Sequence, residues 1–261
     1  MPIGSNLIGF RGAAFTPAVL SPYMWYDASK GVTVSGSYVT AWADQSGNGL
    51  NLTAFNNITK TSAGLNGLDI VNLDSSVQAQ YFYNTSISIT NNTLTAFSVH
   101  KNNPGSGGII YGRLWSLATA SSSDFGANNA IAPLLYGTTA NNISLYYNNA
   151  DRAHAAVTNN TWTIAMGQRN GDAAKVQING GTAGTGTGLG TTNLAVTRVR
   201  IGNDFSAIDS GVRGSFAENI LFTTALKQDD IDRVTGYLAW KWGLVGSLAA
   251  GHPYKTAPPL I

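Results

Sequence analysis

One stretch near the C-terminus constrains what the rest of this chain can be. From Phe216 to Thr223 apolar residues cluster too tightly for a helix of that length, and from Lys227 onward the spacing changes to the helical period. Turning roughly 100° per residue from Ile231 brings Val234, Leu238 and Trp242 within about 60° of it, one core-facing stripe. Asp229 and Asp230 in the first turn and Lys241 in the last suit the helix dipole, and Gly243 followed by Leu244 suits a left-handed cap with an apolar contact. A buried strand therefore feeds an amphipathic helix. Trp240 falls opposite the stripe, so it is covered by something or is itself a contact surface.

Upstream the period is that of strands. Leu94 to His100 alternates as a half-buried strand does, with His100 a surface residue at its end. Trp162, Ile164 and Met166 alternate with Thr161, Thr163 and Ala165, and the turns Asn170-Gly171 and Asn179-Gly180 predict an antiparallel meander there. Tyr38 to Trp42, Leu50 to Phe55, Leu68 to Leu73, Ile109 to Leu117, Leu134 to Tyr136, Ile143 to Tyr147 and Val196 to Ile201 read as further strands. Gly180 to Gly190 reads as a flexible surface loop, and Ala118 to Ala132 as a long loop of the kind that carries function. Charged residues are only 11%, against about a quarter in an average chain, so the polar surface is carried by Asn, Ser, Thr and Gly in turns.

The order of strand, acidic helix start, GYLAWKWGL at Gly236 to Leu244 and GHPYKTAPP at Gly251 to Pro259 resembles the C-terminal signature of the laminin G-like, concanavalin A-like jelly rolls of phage and bacterial surface proteins. WYDAS at Trp25 to Ser29, WADQSGNGLNLT at Trp42 to Thr53 and VQINGG at Val176 to Gly181 resemble the rest of that pattern. Lys227 departs from it, standing where a Ser or Thr cap is usual, so Thr224 caps instead or the first turn frays. The resemblance implies an all-β, two-sheet antiparallel jelly-roll sandwich with one C-terminal α-helix. Residues 23–251 form that domain, 1–22 an extended N-terminal arm and 252–261 an extended tail that runs back over Trp240. A first strand of the same domain is the alternative reading of the arm.

Chemistry is limited by inventory. Glu218 is the sole glutamate, and hydrolases of this fold that resemble laminarinases need a cluster of acids. His100, His154 and His252 lie in unrelated contexts and offer neither a serine partner nor a metal pair. The reading is therefore of a chain that is not an enzyme, with no cofactor, catalytic group or metal. Calcium in the loops at Asp44 or Asp204 stays open, although the Asp44 turn is explained by backbone bonding alone. With no cysteine, net charge +2 and no basic run beyond Arg198 and Arg200, neither disulfides nor nucleic acid are expected. No segment of about 18 apolar residues suggests membrane insertion.

Binding remains. Trp115, Tyr146 and Tyr147 with Asp124, Asn128 and Asn129 are the candidates for a glycan-facing rim. Ile3, Leu7, Ile8, Phe10 and Phe15 of the arm, with Trp240, are the candidates for partner contact. With no secretory signal, these arms point to a virion surface protein, capsid decoration or tail component, made in the cytoplasm. It would sit among other virion proteins in a homo-oligomer or lattice and touch host glycans. A bacterial carbohydrate-binding module is the alternative, and a divergent hydrolase the third reading.

Overall fold

The computed structural model describes residues 12–74, 79–103, 112–119, 130–136, 141–205 and 211–261. Its strands are β1 (Met24–Asp27), β2 (Val32–Ser35), β3 (Tyr38–Trp42), β4 (Leu52–Phe55), β5 (Thr59–Leu65), β6 (Leu68–Asp74), β7 (Tyr81–Asn84), β8 (Thr93–Asn102) and β9 (Arg113–Ala118). They continue with β10 (Ile131–Tyr136), β11 (Asn142–Tyr147), β12 (Ala150–Ala156), β13 (Thr163–Asn170), β14 (Ala173–Ile178), β15 (Gly184–Gly186), β16 (Arg198–Ile201) and β17 (Arg213–Phe222), before the helix α1 (Gln228–Lys241). Among the described residues these strands make two antiparallel sheets. One runs β15-β14-β13-β8-β17-β6-β5 with β1 also on β17, and the other runs β12-β11-β10-β9-β16-β7-β4-β3-β2. The all-β two-sheet sandwich with a single C-terminal helix is thus the observed fold.

Two apolar layers hold it. Between the sheets, Tyr26 of β1 meets Trp42 and Trp115 of the facing sheet at ring separations of 5.9 and 6.2 Å, and Trp42 meets Phe82 at 5.0 Å. Outside the first sheet, Ile231, Val234, Leu238 and Trp242 of α1 pack fully buried on Phe97, Val99, Ile220 and Phe222. This is the stripe that the helical spacing predicts. Gly243 has φ +70° and the Leu244 N–H donates to the Ala239 carbonyl at 2.7 Å, so a left-handed cap ends α1. At the other end Lys227 is the N-cap and makes no side-chain cap bond.

β17 is the central strand. It pairs with β8 along its length, while its other edge is shared by β6 at Arg213 to Phe216 and by β1 at Glu218 to Leu221. Where the partner changes, the register against β8 slips between Phe216 and Glu218, a β-bulge. Glu218 then lies fully buried at the junction of β17, β1 and α1. Its Oε1 accepts the Trp25 indole N–H at 2.6 Å and its Oε2 accepts the Trp242 indole N–H and the Lys241 ammonium, each at 2.6 Å. The same ammonium donates to Oδ2 of Asp27 at 2.6 Å, and Asp27 is also fully buried.

The described part of the N-terminal segment and the tail pack against each other. Ala14 bridges Leu260, Phe15 N–H donates to the Pro259 carbonyl at 3.1 Å, and the Ile261 N–H donates to the Ala13 carbonyl at 2.8 Å. Phe15 is 3% exposed in the layer beneath α1, so residues 12–22 belong to the same packed body as the tail. Tyr254 of the tail sits on Gly236, and the Trp240 indole donates to the Tyr254 carbonyl at 2.9 Å while its ring stays 38% exposed.

The glycine-rich stretch is not a free loop either. Gly184 and Gly186 pair with β14 at the sheet edge, and a Cβ on Gly184 would come within 1.7 Å of the His154 carbonyl of β12. Glycine is required because the two sheet edges close on each other there. His100, expected at the surface, is 1% exposed and faces Tyr136 and Phe216 between the sheets. Burial pushes its imidazole down to about 4.

Two predictions follow from this packing. Gly184→Ala should destabilise the fold by about 1–3 kcal/mol, read from urea denaturation. Because the unfolded chain protonates His100 near its ordinary value while the folded chain resists, its contribution to stability is present above about pH 6.5 and is lost as pH falls toward about 4. The loss should reach about 3 kcal/mol. A pH series of melts should show that slope in the wild type, and a His100→Phe chain that keeps the slope would refute the assignment.

Candidate functional site

The three aromatic residues of the predicted glycan rim are buried. Trp115 is fully buried, and its indole N–H donates to the Phe97 carbonyl of the opposite sheet at 3.1 Å, which makes it a tie across the sandwich. Tyr147 is 5% exposed with the Arg169 guanidinium 5.1 Å from its ring centre, and Tyr146 is 5% exposed in a small cluster with Ala132 and Leu135. Those three aromatic residues are core. Asp124, Asn128 and Asn129 lie outside the described residues, as do Ile3, Leu7, Ile8 and Phe10. Of the two described partner-contact candidates, Phe15 is core and Trp240 is partly exposed.

The Asp44 turn is closed by its own bonds. The carboxylate accepts the N–H groups of Trp25 (3.0 Å), Ser46 (2.9 Å) and Leu50 (3.0 Å) and the Ser46 hydroxyl at 2.7 Å. Asp204 is fully buried beside Asn203, whose side-chain carbonyl accepts the Asp204 N–H at 2.8 Å. Among the described residues no three His, Cys, Asp or Glu side chains converge.

The structure gathers polar groups at one end of the sandwich instead. β6 ends there at Asp74, β8 at Asn102 and β16 at Ile201, while β7 begins there at Tyr81, β9 at Arg113 and β17 at Arg213. A cleft of about 380 Å³ opens on the outer side of the helix-bearing sheet, lined by Asn72, Asp74, Lys101, Asn103, Arg213 and Ser215. Strand alternation puts them on one face, since Val71, Leu73, His100 and Phe216 between them turn inward. Ser215 Oγ donates to Oδ1 of Asn72 at 2.8 Å and Asn72 Nδ2 donates to Oγ1 of Thr61 at 2.9 Å, which fixes the amide. The Lys101 ammonium lies 5.8 Å from the Trp162 ring centre. Gly214 is a close approach, because a Cβ would come within 2.1 Å of the Lys101 carbonyl.

The other sheet carries an aromatic and arginine ladder on its outer face, starting at the same end. Phe55 and Tyr81 stack at 4.6 Å and 13°, and the Arg200 guanidinium lies 3.9 Å from the Tyr81 ring centre and 4.7 Å from that of Phe205. Arg198 covers Phe205 at 4.1 Å. Burial raises the Tyr81 phenol, with Arg200 opposing the rise. Phe55 is 40% exposed, so the outermost ring of the ladder has a face open to solvent. The alternations Tyr81-Phe82-Tyr83 and Arg198-Val199-Arg200 were visible signals for this surface, with Phe82 and Val199 as the inward members.

No known family description matches this sequence, and no curated protein does, so membership of a laminin G-like or phage family is not shown. Solved structures do match in fold. Domain 4 of an extracellular GH43 arabinanase from Geobacillus stearothermophilus, solved with arabinotriose, aligns at TM-score 0.59 and 13% identity over 82% of this chain and 98% of that one. A GH54 α-L-arabinofuranosidase soaked with a cyclic sulfate inhibitor aligns at TM-score 0.54 and 17% identity over 76% of this chain. A Trypanosoma rangeli sialidase in complex with the inhibitor DANA aligns at TM-score 0.54 and 11% identity over 88%. The chain spans 50% of that arabinofuranosidase and 35% of that sialidase. All three are carbohydrate-active proteins or parts of one, and at these identities the likeness is one of fold. The expectation of a chain that is not an enzyme is corrected here: the proteins alike in fold include glycoside hydrolases, of whose chains this one spans 50% and 35%.

The reassignment of Trp115 is directly testable. Trp115→Ala should cost about 3–5 kcal/mol of folding stability, as for other fully buried large side chains. Denaturant midpoints unchanged by that substitution would return Trp115 to the surface.

Proposed function

We propose that this chain is a carbohydrate-binding β-sandwich module whose ligand lies in the cleft of Asn72, Asp74, Lys101, Asn103, Arg213 and Ser215. The observation that carries the reading is the cleft itself. It offers amide, carboxylate, ammonium, guanidinium and hydroxyl groups on one rigid sheet face, the mixture of donors and acceptors that a ring of hydroxyls pairs with. Support also comes from the arabinanase domain, which has this fold along nearly its whole length and was solved with an arabinose trimer. A pentose oligosaccharide is accordingly the first ligand to try.

A second reading, a surface component of a virion assembled with other copies, rests on the apolar side chains that the paired termini leave outside, Val19 at 49%, Leu260 at 47% and Ile261 at 69% exposure. Particles from the source that sediment without this chain would remove it.

For the first reading, calorimetry with arabinotriose and a glycan array should both give binding. Asn72→Ala and Arg213→Ala should each weaken it by about tenfold, the loss of one or two hydrogen bonds. An empty array, or both variants binding as the wild type does, would end the proposal.

A further inference from the structure

The buried cluster at the junction of β17, β1 and α1 has the parts of a reaction as well as those of an ion pair. We propose that Lys241 and Asp27 condense into an intramolecular amide bond, with Glu218 carrying the proton between them. The Lys241 Nζ stands 2.6 Å from Oδ2 of Asp27 and 2.6 Å from Oε2 of Glu218. Asp27 and Glu218 are fully buried, the lysine side chain is 15% exposed, and the site is walled by Trp25, Tyr237 and Trp242, with Nζ 5.5 Å from the Tyr237 ring centre and 5.0 Å from that of Trp242. Water is largely excluded, which favours condensation over the reverse hydrolysis.

Each step has a group in place for it. Glu218 takes a proton from Nζ, and the freed amine pair attacks Cγ of Asp27. Oδ1 of Asp27 already accepts the Ser29 N–H at 2.9 Å and the Ser29 hydroxyl at 2.6 Å, so the negative charge that develops on it has two donors waiting. The Cγ–Oδ2 bond then breaks, and Oδ2 leaves as water with the proton passed on by Glu218 and the second proton from nitrogen. An ammonium and a carboxylate become an amide and one water, so atoms and charge balance with no oxidant, cofactor or second substrate. Burial raises the Glu218 carboxyl, with Lys241 opposing and Asp27 adding to the rise, which suits it to take up a proton from Nζ. The indole N–H groups of Trp25 and Trp242 hold its two oxygens in position. Fixed reactants of this kind react at effective concentrations no free amine reaches.

The bond would join positions 214 residues apart and lock α1 onto β1. Intact mass spectrometry of the folded full-length chain tests it. The expected result is a mass lower than that of the sequence by one water, with the tryptic peptide 12–30 joined to peptide 234–255, which stays uncut after Lys241. Glu218→Gln keeps the shape but cannot shuttle the proton, and should show the full sequence mass with a native circular dichroism spectrum. Lys241→Arg should also show full mass. The proposal is overturned if the wild type, incubated folded until its mass is constant, retains the full mass and yields the two peptides separately. A Glu218→Gln chain that still carries the joined peptides would overturn the role given to Glu218.

Discussion

The fold depends on one ammonium shared by two buried carboxylates. Lys241 on α1 bonds Glu218 on β17 and Asp27 on β1 at 2.6 Å each, so one cation ties the last helix to the first strand and to the central strand at once. Charges in such a place are expensive to desolvate, and the arrangement holds because nearly every oxygen is used: two indole N–H groups on Glu218, and the Ser29 N–H and hydroxyl on Asp27. Removing the Lys241 ammonium would leave two buried carboxylates uncompensated, at a cost of about 3–5 kcal/mol in comparable sites. The motif residues Trp25, Asp27, Ser29, Lys241 and Trp242, distant in sequence, are thus parts of one contact.

What was legible in the sequence was period. The Ile231, Val234, Leu238 and Trp242 stripe, the Gly243 cap and the alternating strands were all local signals, and local signals survive folding. Chain direction also survives where turn chemistry is explicit: Asn66-Gly67 turns β5 into β6 with positive φ at both residues. What was not legible depends on the partner sheet. Trp115 and Phe55 are both aromatic residues in short strands, and only the facing layer decides that Trp115 is a tie between sheets while Phe55 keeps an open face. Gly184 and Gly186 looked like looseness for the same reason, because the His154 and Arg152 carbonyls they accommodate belong to a distant strand. His100 was misplaced because the chain end of a strand is not the edge of the core.

The candidate site obeys the same division. Strand ends at Asp74, Asn102, Ile201 and Arg213 come together only through the sheet order, so Asn72, Lys101 and Arg213 carry no shared sequence signature. Likeness of fold adds a neighbourhood of carbohydrate-active domains but no residue, since at 11–17% identity the sandwich is what is shared. Function on such a scaffold has to be read from the groups it presents, and in this cleft they are mixed hydrogen-bonding groups on one sheet face.

The cleft and the buried cluster lie on either side of one irregularity in β17. In an unbroken β17, Phe216 and Glu218 would face the same side, and the acid would point between the sheets against Tyr26, Trp42 and Phe82. The slip after Phe216 sends both Ala217 and Glu218 outward, and Asn219 inward, before Ile220 and Leu221 resume the alternation. Below the slip the strand offers Arg213 and Ser215 to the cleft alongside β6; above it, the strand offers Glu218 to Lys241 alongside β1. One extra residue therefore separates a face that is open to a ligand from a face that is closed over by α1.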